Sequence, residues 1–135
     1  ELWQQVMQVN INGPIWMTQA LLPLLQASED ASIIFTSSSV GRKGRAYWGA
    51  YSGSKFATEG FVDVLADELD NQSNIRVNSL NPGATRTQMR RTAFPGEDPF
   101  TLRTPEDIMP TYLWLMGPDS AGTNGQKLDA QPPRV

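Results

Sequence analysis

A tyrosine and a lysine four residues apart, in Tyr51-Ser52-Gly53-Ser54-Lys55, are the side chains in this sequence best suited to moving a proton. On a helix, positions i and i+4 share one face, with Cβ atoms about 5–6 Å apart. The 135-residue chain contains no His and no Cys. Metal sites built on imidazole or thiolate, thiol nucleophiles and His-dependent triads are therefore excluded, and no metal site is expected. Proton transfer near neutral pH is left to a carboxyl, a lysine or a tyrosine. A free tyrosine, with a pKa of about 10, is only roughly 0.1% ionised at pH 7. A cation beside a phenol favours the phenolate and brings the acid/base pair toward the working range. The spacing alone is unspecific, because a lysine stem lying along any amphipathic helix produces it too.

The segments around the pair add specificity. Ile33-Ile34-Phe35-Thr36-Ser37-Ser38-Ser39 is an apolar, β-prone run ending in hydroxyls, and residues 42–49 form a basic, Gly-containing loop before the Tyr helix. Ser38 stands thirteen residues before Tyr51, with Ser39 as second choice; a cap or turn hydrogen bond is the bland role for either. Asn10 lies in Val9-Asn10-Ile11-Asn12-Gly13 on an earlier helix, and Asn81-Pro82-Gly83-Ala84-Thr85-Arg86-Thr87 follows a second β-prone run.

Taken in order, these motifs resemble the short-chain dehydrogenase/reductase family over nearly the whole chain, from Glu1 to about Gln131. The ending, Tyr-Leu-Trp-Leu-Met-Gly followed by Asp-Ala-Gln-Pro, further resembles a bacterial subgroup, the YciK-like oxidoreductases. The resemblance implies an NAD(P)-dependent oxidoreductase acting on a small carbonyl or alcohol. It implies catalytic roles for four residues. Tyr51 is the acid/base and Lys55 its electrostatic partner. Ser38 bonds the substrate oxygen, and the Asn10 carbonyl holds a relay water. It also implies that Tyr51, Lys55, Pro82, Gly83, Thr85 and Thr87 touch a nicotinamide cofactor, NAD or NADP, with Lys55 on the ribose hydroxyls and Thr87 on the carboxamide.

The elements that must position these residues follow a simple order. Helical spacing over residues 1–26 is interrupted at Asn12-Gly13-Pro14, where proline removes the helical partner of the Asn10 carbonyl. Residues 32–36 read as a buried strand, 49–70 as the main helix, and 75–80 as a second strand. The main helix has apolar positions at Ala50, Ala57, Phe61, Val64, Leu65 and Leu69. Its small residues Gly53, Ala57 and Gly60 would admit another backbone. Residues 89–103 are punctuated by Pro and Gly and read as mobile; the resemblance implies that they cover the substrate. Thr104-Pro105-Glu106-Asp107 is a well-formed helix start, with a threonine cap, proline at the first helical position and acids in the first turn. Residues 126–129 form a short last strand, and 131–135 a Pro-rich tail expected to fray.

Helix, strand, helix, strand, helix, strand is the back half of a doubly wound, Rossmann-like parallel sheet within a single partial domain. No Gly-rich turn for a dinucleotide pyrophosphate follows any strand here, so the chain is expected to be a fragment, and NAD versus NADP stays open. An exposed edge at 32–36 would favour a homo-oligomer, and the resemblance implies one formed through the helices at 1–26 and 49–70. The net charge of −3 argues against nucleic acid. No apolar run approaches the roughly 20 residues of a membrane span, and a cysteine-free chain fits a cytoplasmic setting. The basic residues Arg42, Lys43 and Arg45, and Arg86, Arg90 and Arg91, read as solvated loop charge or as contacts to a phosphate or acidic substrate. Two rival functions remain. One is a non-catalytic, oligomerising half-Rossmann interaction module; the other is a Ser-Lys hydrolase using Ser38 and Lys55.

Overall fold

Pro14 shapes the start of the chain. The computed structural model describes residues 1–70 and 74–132. It divides the first helical run into α1 (Leu2–Met7), a π-helical turn (Gln8–Asn12) and α2 (Gly13–Gln26). Proline has no N–H to offer the carbonyl four residues back, so the ladder widens by one residue and the Gly13 N–H reaches the Gln8 carbonyl. The expected interruption is thus a wide turn rather than a simple kink. Such turns are frequent at functional sites.

Three parallel strands, β1 (Ala31–Thr36), β2 (Ile75–Asn81) and β3 (Lys127–Asp129), form one sheet in the order β1-β2-β3. Ile33 pairs with Val77 and Thr36 with Leu80, while Leu80 faces Leu128 on the other side. Central β2 is buried from Ile75 to Leu80 although three of those six residues are polar. Buried polar groups need partners, and each has them. Arg76 pairs with Asp30 and donates to Ser120 Oγ at 3.0 Å. Asn78 donates to the Thr123 carbonyl at 2.7 Å, and Ser79 donates to a Glu59 oxygen at 2.7 Å.

Helix α3 (Gly49–Asp70) joins β1 to β2 and buries Val62, Leu65, Ala66 and Leu69 against Ala31, Phe35, Ile75 and Val77. Phe35 and Phe61 meet edge to face at 5.5 Å. The buried face differs from the one the apolar pattern suggests: Val64 is exposed, and Thr58 and Glu59 are buried. Two polar residues on the inner stripe displaced the pattern. Asp63, Asp67 and Glu68 face solvent, with Asp63 bonded to Lys127 Nζ at 2.8 Å.

Successive strand residues point to opposite faces, so Ser32 and Thr36 lie on the face away from α3. There α5 (Pro105–Met116) covers them: Ser32 Oγ donates to the Leu115 carbonyl at 2.7 Å, and Thr36 Oγ1 lies 3.0 Å from Tyr112 Oη. The Thr104 start is a complete capping box, closed by reciprocal bonds with Asp107 of 2.8 and 3.3 Å. The stretch 89–103 carries structure of its own where a mobile segment was expected. Helix α4 (Gln88–Ala93) is followed by an Arg90–Glu97 ion pair at 2.6 Å and a 3₁₀ turn at Pro99–Thr101. Gln131 is anchored rather than frayed, its amide donating to the Pro82 and Ala84 carbonyls at 2.8 and 3.0 Å. Residues 133–135 of the expected tail lie outside the described residues. No helix among the described residues is long and apolar enough to cross a membrane.

Candidate active site

Tyr51 and Lys55 occupy consecutive turns at the start of α3 and point to one side, with Lys55 Nζ 5.6 Å from the Tyr51 ring centroid. The ammonium donates to the Thr36 carbonyl at 2.9 Å, which ties this face of the helix to the carboxyl end of β1. Burial lowers the Lys55 pKa below the ordinary lysine value, and the negative charge of Glu59 pulls it back upward.

Ser38 follows β1 in extended backbone and caps a 3₁₀ turn, Ser39–Gly41, its Oγ accepting from the Val40 N–H at 3.4 Å. That turn is docked on α3 in two places. Ser52 Oγ donates to the Val40 carbonyl at 2.6 Å. Gly41 lies so close to Lys55 that a Cβ would stand 2.8 Å from the Lys55 carbonyl oxygen. The structure thereby brings the Ser38 turn against the same helical turns that carry Tyr51 and Lys55.

Asn10, in the π-helical turn, donates through Nδ2 to Ser54 Oγ at 3.0 Å, and Ser54 Oγ donates to the Tyr51 carbonyl at 2.7 Å. Gly53 does admit a close neighbour, but the neighbour is Trp3 of α1, whose Cη2 would stand 3.3 Å from an added Cβ. Gly60 faces open space.

The remaining predicted residues form the turn after β2. Gly83 takes φ +74°, a conformation that favours glycine, and its N–H donates to Asn81 Oδ1 at 3.1 Å. Thr85 is buried and spends its hydroxyl inside the turn, donating to the Gly83 carbonyl at 3.1 Å. Thr87 is exposed and caps α4, accepting from the Arg90 N–H at 3.1 Å.

Sequence reasoning missed two groups. Arg42, read as loop charge or a phosphate contact, is a tie within the fold: Nη1 bonds Asp129 at 3.0 Å and Nε lies 3.5 Å from Glu59. The opposite charges of Lys55 and Glu59 at i and i+4 were the available signal for Glu59. The second group is an aromatic wall. Trp48 meets Tyr51 at 5.9 Å and Phe94 at 5.6 Å, Arg45 lies 5.2 Å from the Trp48 ring, and Arg90 lies 3.7 Å over Phe94. It brings the segment after α4 to the edge of the Tyr51 site, a contact that residues so far apart in sequence do not announce.

The chain belongs to the short-chain dehydrogenase family, whose model, "short chain dehydrogenase", matches residues 1–98. It is 63% identical over 134 residues to the "Uncharacterized oxidoreductase YciK" of Escherichia coli (strain K12), covering 99% of this chain and 52% of that protein. A short chain dehydrogenase of Salmonella enterica subsp. enterica serovar Typhi str. CT18 superimposes with a TM-score of 0.94 at 64% identity, over 96% of this chain and 53% of that one. A short chain dehydrogenase of Shigella flexneri 2a str. 301, solved in complex with NADP, superimposes with a TM-score of 0.92 at 63% identity, over 96% of this chain and 54% of that one. The chain spans about half the length of these relatives.

Proposed function

We propose that this chain supplies the proton-transfer half of an NAD(P)-dependent dehydrogenase or reductase for a carbonyl or alcohol substrate. The observation that carries the reading is the placement of Lys55. Its ammonium lies beside the Tyr51 ring and on the Thr36 carbonyl, two residues before Ser38. NADP is the cofactor we favour, because the similar Shigella protein is complexed with it.

The donor set suits the nicotinamide end of such a cofactor. One of the three ammonium hydrogens of Lys55 serves Thr36, which leaves two for ribose hydroxyls. Gln131 packs where a Gly83 Cβ would stand and bonds the Pro82 and Ala84 carbonyls, which holds the shape of the turn after β2. Thr87 keeps its own O–H while accepting from Arg90. Thr85, enclosed in the turn, supports its shape rather than reaching a ligand. When bound, the nicotinamide supplies or accepts the hydride at the substrate carbon. Tyr51 Oη gives a proton to the substrate oxygen on reduction and takes it on oxidation, which requires about 2.6–3.2 Å between them. Ser38 Oγ accepts from Val40, so its O–H is free to donate to the same oxygen. Asn10 steadies the turn that carries Tyr51 by way of Ser54. A hydrolase built on Ser38 and Lys55 would need Lys55 as a neutral amine accepting the Ser38 proton, whereas Lys55 donates to the Thr36 carbonyl and Ser38 Oγ accepts from Val40.

The experiment is a titration with NADPH and NADH of a version extended to the length of its relatives. Saturable binding that Lys55→Met weakens at least tenfold supports the reading. Failure of both nucleotides to bind rejects it.

A second reading, self-association, rests on a different observation. Leu2, Val9 and Leu24 are 71–72% exposed, and with Trp16 they lie along α1, the π-helical turn and α2. The first helical run therefore exposes several large apolar side chains. Light scattering of the chain and of a Trp16→Ser, Leu24→Ser variant tests it. A monodisperse monomer in both cases rejects it.

A further inference from the structure

Glu59 is 4% exposed, a carboxyl group inside the fold that proton transfer leaves without a task. A buried carboxylate is unfavourable unless hydrogen bonds and a counter-charge answer it. Here both oxygens are engaged. Oε1 accepts from Ser37 Oγ at 2.5 Å and lies 3.5 Å from Arg42 Nε, and Oε2 accepts from Ser79 Oγ at 2.7 Å. Ser37 and Arg42 are the residues immediately before and after the 38–41 turn. Arg42 continues to Asp129 Oδ2 and the Leu128 carbonyl, both at 3.0 Å, and Asp129 Oδ1 accepts from Asn81 Nδ2 at 2.7 Å. One buried carboxyl thus reaches the carboxyl ends of β1 and β2 directly and of β3 through Arg42.

The geometry points to Glu59 as a positioning residue of this site: its carboxylate clasps both ends of the turn that presents Ser38 and pins them to α3 one turn beyond Lys55. The inference rests on the reading above for the importance of Ser38 and Lys55, and it deepens that reading. The Ser79 contact joins α3 to β2, and the Ser37 contact also satisfies a buried hydroxyl. The contacts to Ser37 and Arg42 together fix a short segment whose sole long side chain, Val40, is already buried. The charged and titratable groups beside Lys55 are Tyr51 and Glu59 on its own helix, and Arg42, just after the turn, reaches Glu59. Residues 2–12 and 38–41, packed on this end of α3, contain no ionisable side chain, and β1 offers the Thr36 carbonyl. Among these, Glu59 favours the ammonium form of Lys55 against the burial that disfavours it.

The test uses the 135-residue chain labelled with ¹³C-lysine and ¹⁵N, with Lys55→Gln to assign the Lys55 Cε resonance. Glu59→Gln keeps the side-chain volume and one acceptor oxygen while removing the charge. The expected result is a folded protein with a lower melting temperature and a Lys55 titration midpoint moved to lower pH. The amide resonances of residues 38–41 shift, and those of α5 stay in place. Ser79→Ala, which loses only the strand-side bond, is expected to melt lower with midpoint and turn amides unmoved. A folded Glu59→Gln chain whose midpoint and turn amides match the parent overturns the inference, leaving Glu59 a fold contact only. Should Glu59→Gln not fold, Ser37→Ala decides: shifted turn amides support the clasp, and unshifted ones overturn it. These signals read no turnover and no nucleotide, so their failure is separable from failure of the nucleotide titration.

Discussion

Asn10 and Ser54, 44 residues apart in sequence, are joined by a 3.0 Å hydrogen bond, and Ser54 passes the connection to the Tyr51 carbonyl. The π-helical turn is therefore latched to the turn of α3 that carries the phenol. Ser54 is fully buried, and stranding a buried polar partner costs about 1–3 kcal/mol.

Ser54→Ala is expected to destabilise the chain by about that amount, measured by urea melts. Asn10→Ala should cost less, because Asn10 is only half-buried. The double variant should lose less than the sum of the two, since both remove the same bond. Simple additivity would show that the latch does not couple the two turns.

Gly41 is fixed by space and not by dihedral angle. Gly41→Ala places a methyl 2.8 Å from the Lys55 carbonyl oxygen and 2.9 Å from Lys55 Cβ, so the turn or the helix must move. A loss of about 1–3 kcal/mol is expected, with shifted amide resonances at Ser38 and Lys55. A variant as stable as the parent would mean that the turn does not rest on the helix.

Much of this arrangement is legible in sequence where it is local. The i, i+4 spacing of Tyr51 and Lys55, the Thr104 capping box and the limits of α3 rest on contacts within a few residues, and the strand running into Ser38 shows in its apolar, β-prone run although its partner β2 lies 44 residues on. The misreadings have a common physical origin. The inner face of α3 was drawn from its apolar residues, which put Val64 inside and missed Val62, because Thr58 and Glu59 hold inner positions by hydrogen bonding. Arg42 looked solvated until β3 brought Asp129 beside it. Trp48 and Phe94 meet only because the segment after α4 folds back over the start of α3.

Lys55 sets a pH dependence whose sign follows from linkage. Its pKa in the folded chain lies below the unfolded value of 10.5 because burial disfavours the charged form. Between those two values the unfolded chain binds more protons at this group, so its contribution to stability rises with pH. The contribution is lowest below the folded pKa and levels off above 10.5. The stability of the parent relative to Lys55→Met is therefore expected to increase from pH 7 toward pH 10.5 in paired urea melts. A difference that shrinks over that range would contradict the burial account.

The central claim is that Tyr51 transfers the proton, and the measurement that reads it most directly is single-turnover hydride transfer by a version extended to the length of its relatives and carrying Tyr51→Phe. Loss of one phenolic oxygen should lower the rate by about 10²–10⁴-fold, while NADPH affinity and melting temperature stay within error of the parent. Hydride transfer at the parental rate in the folded, nucleotide-bound variant would contradict the account.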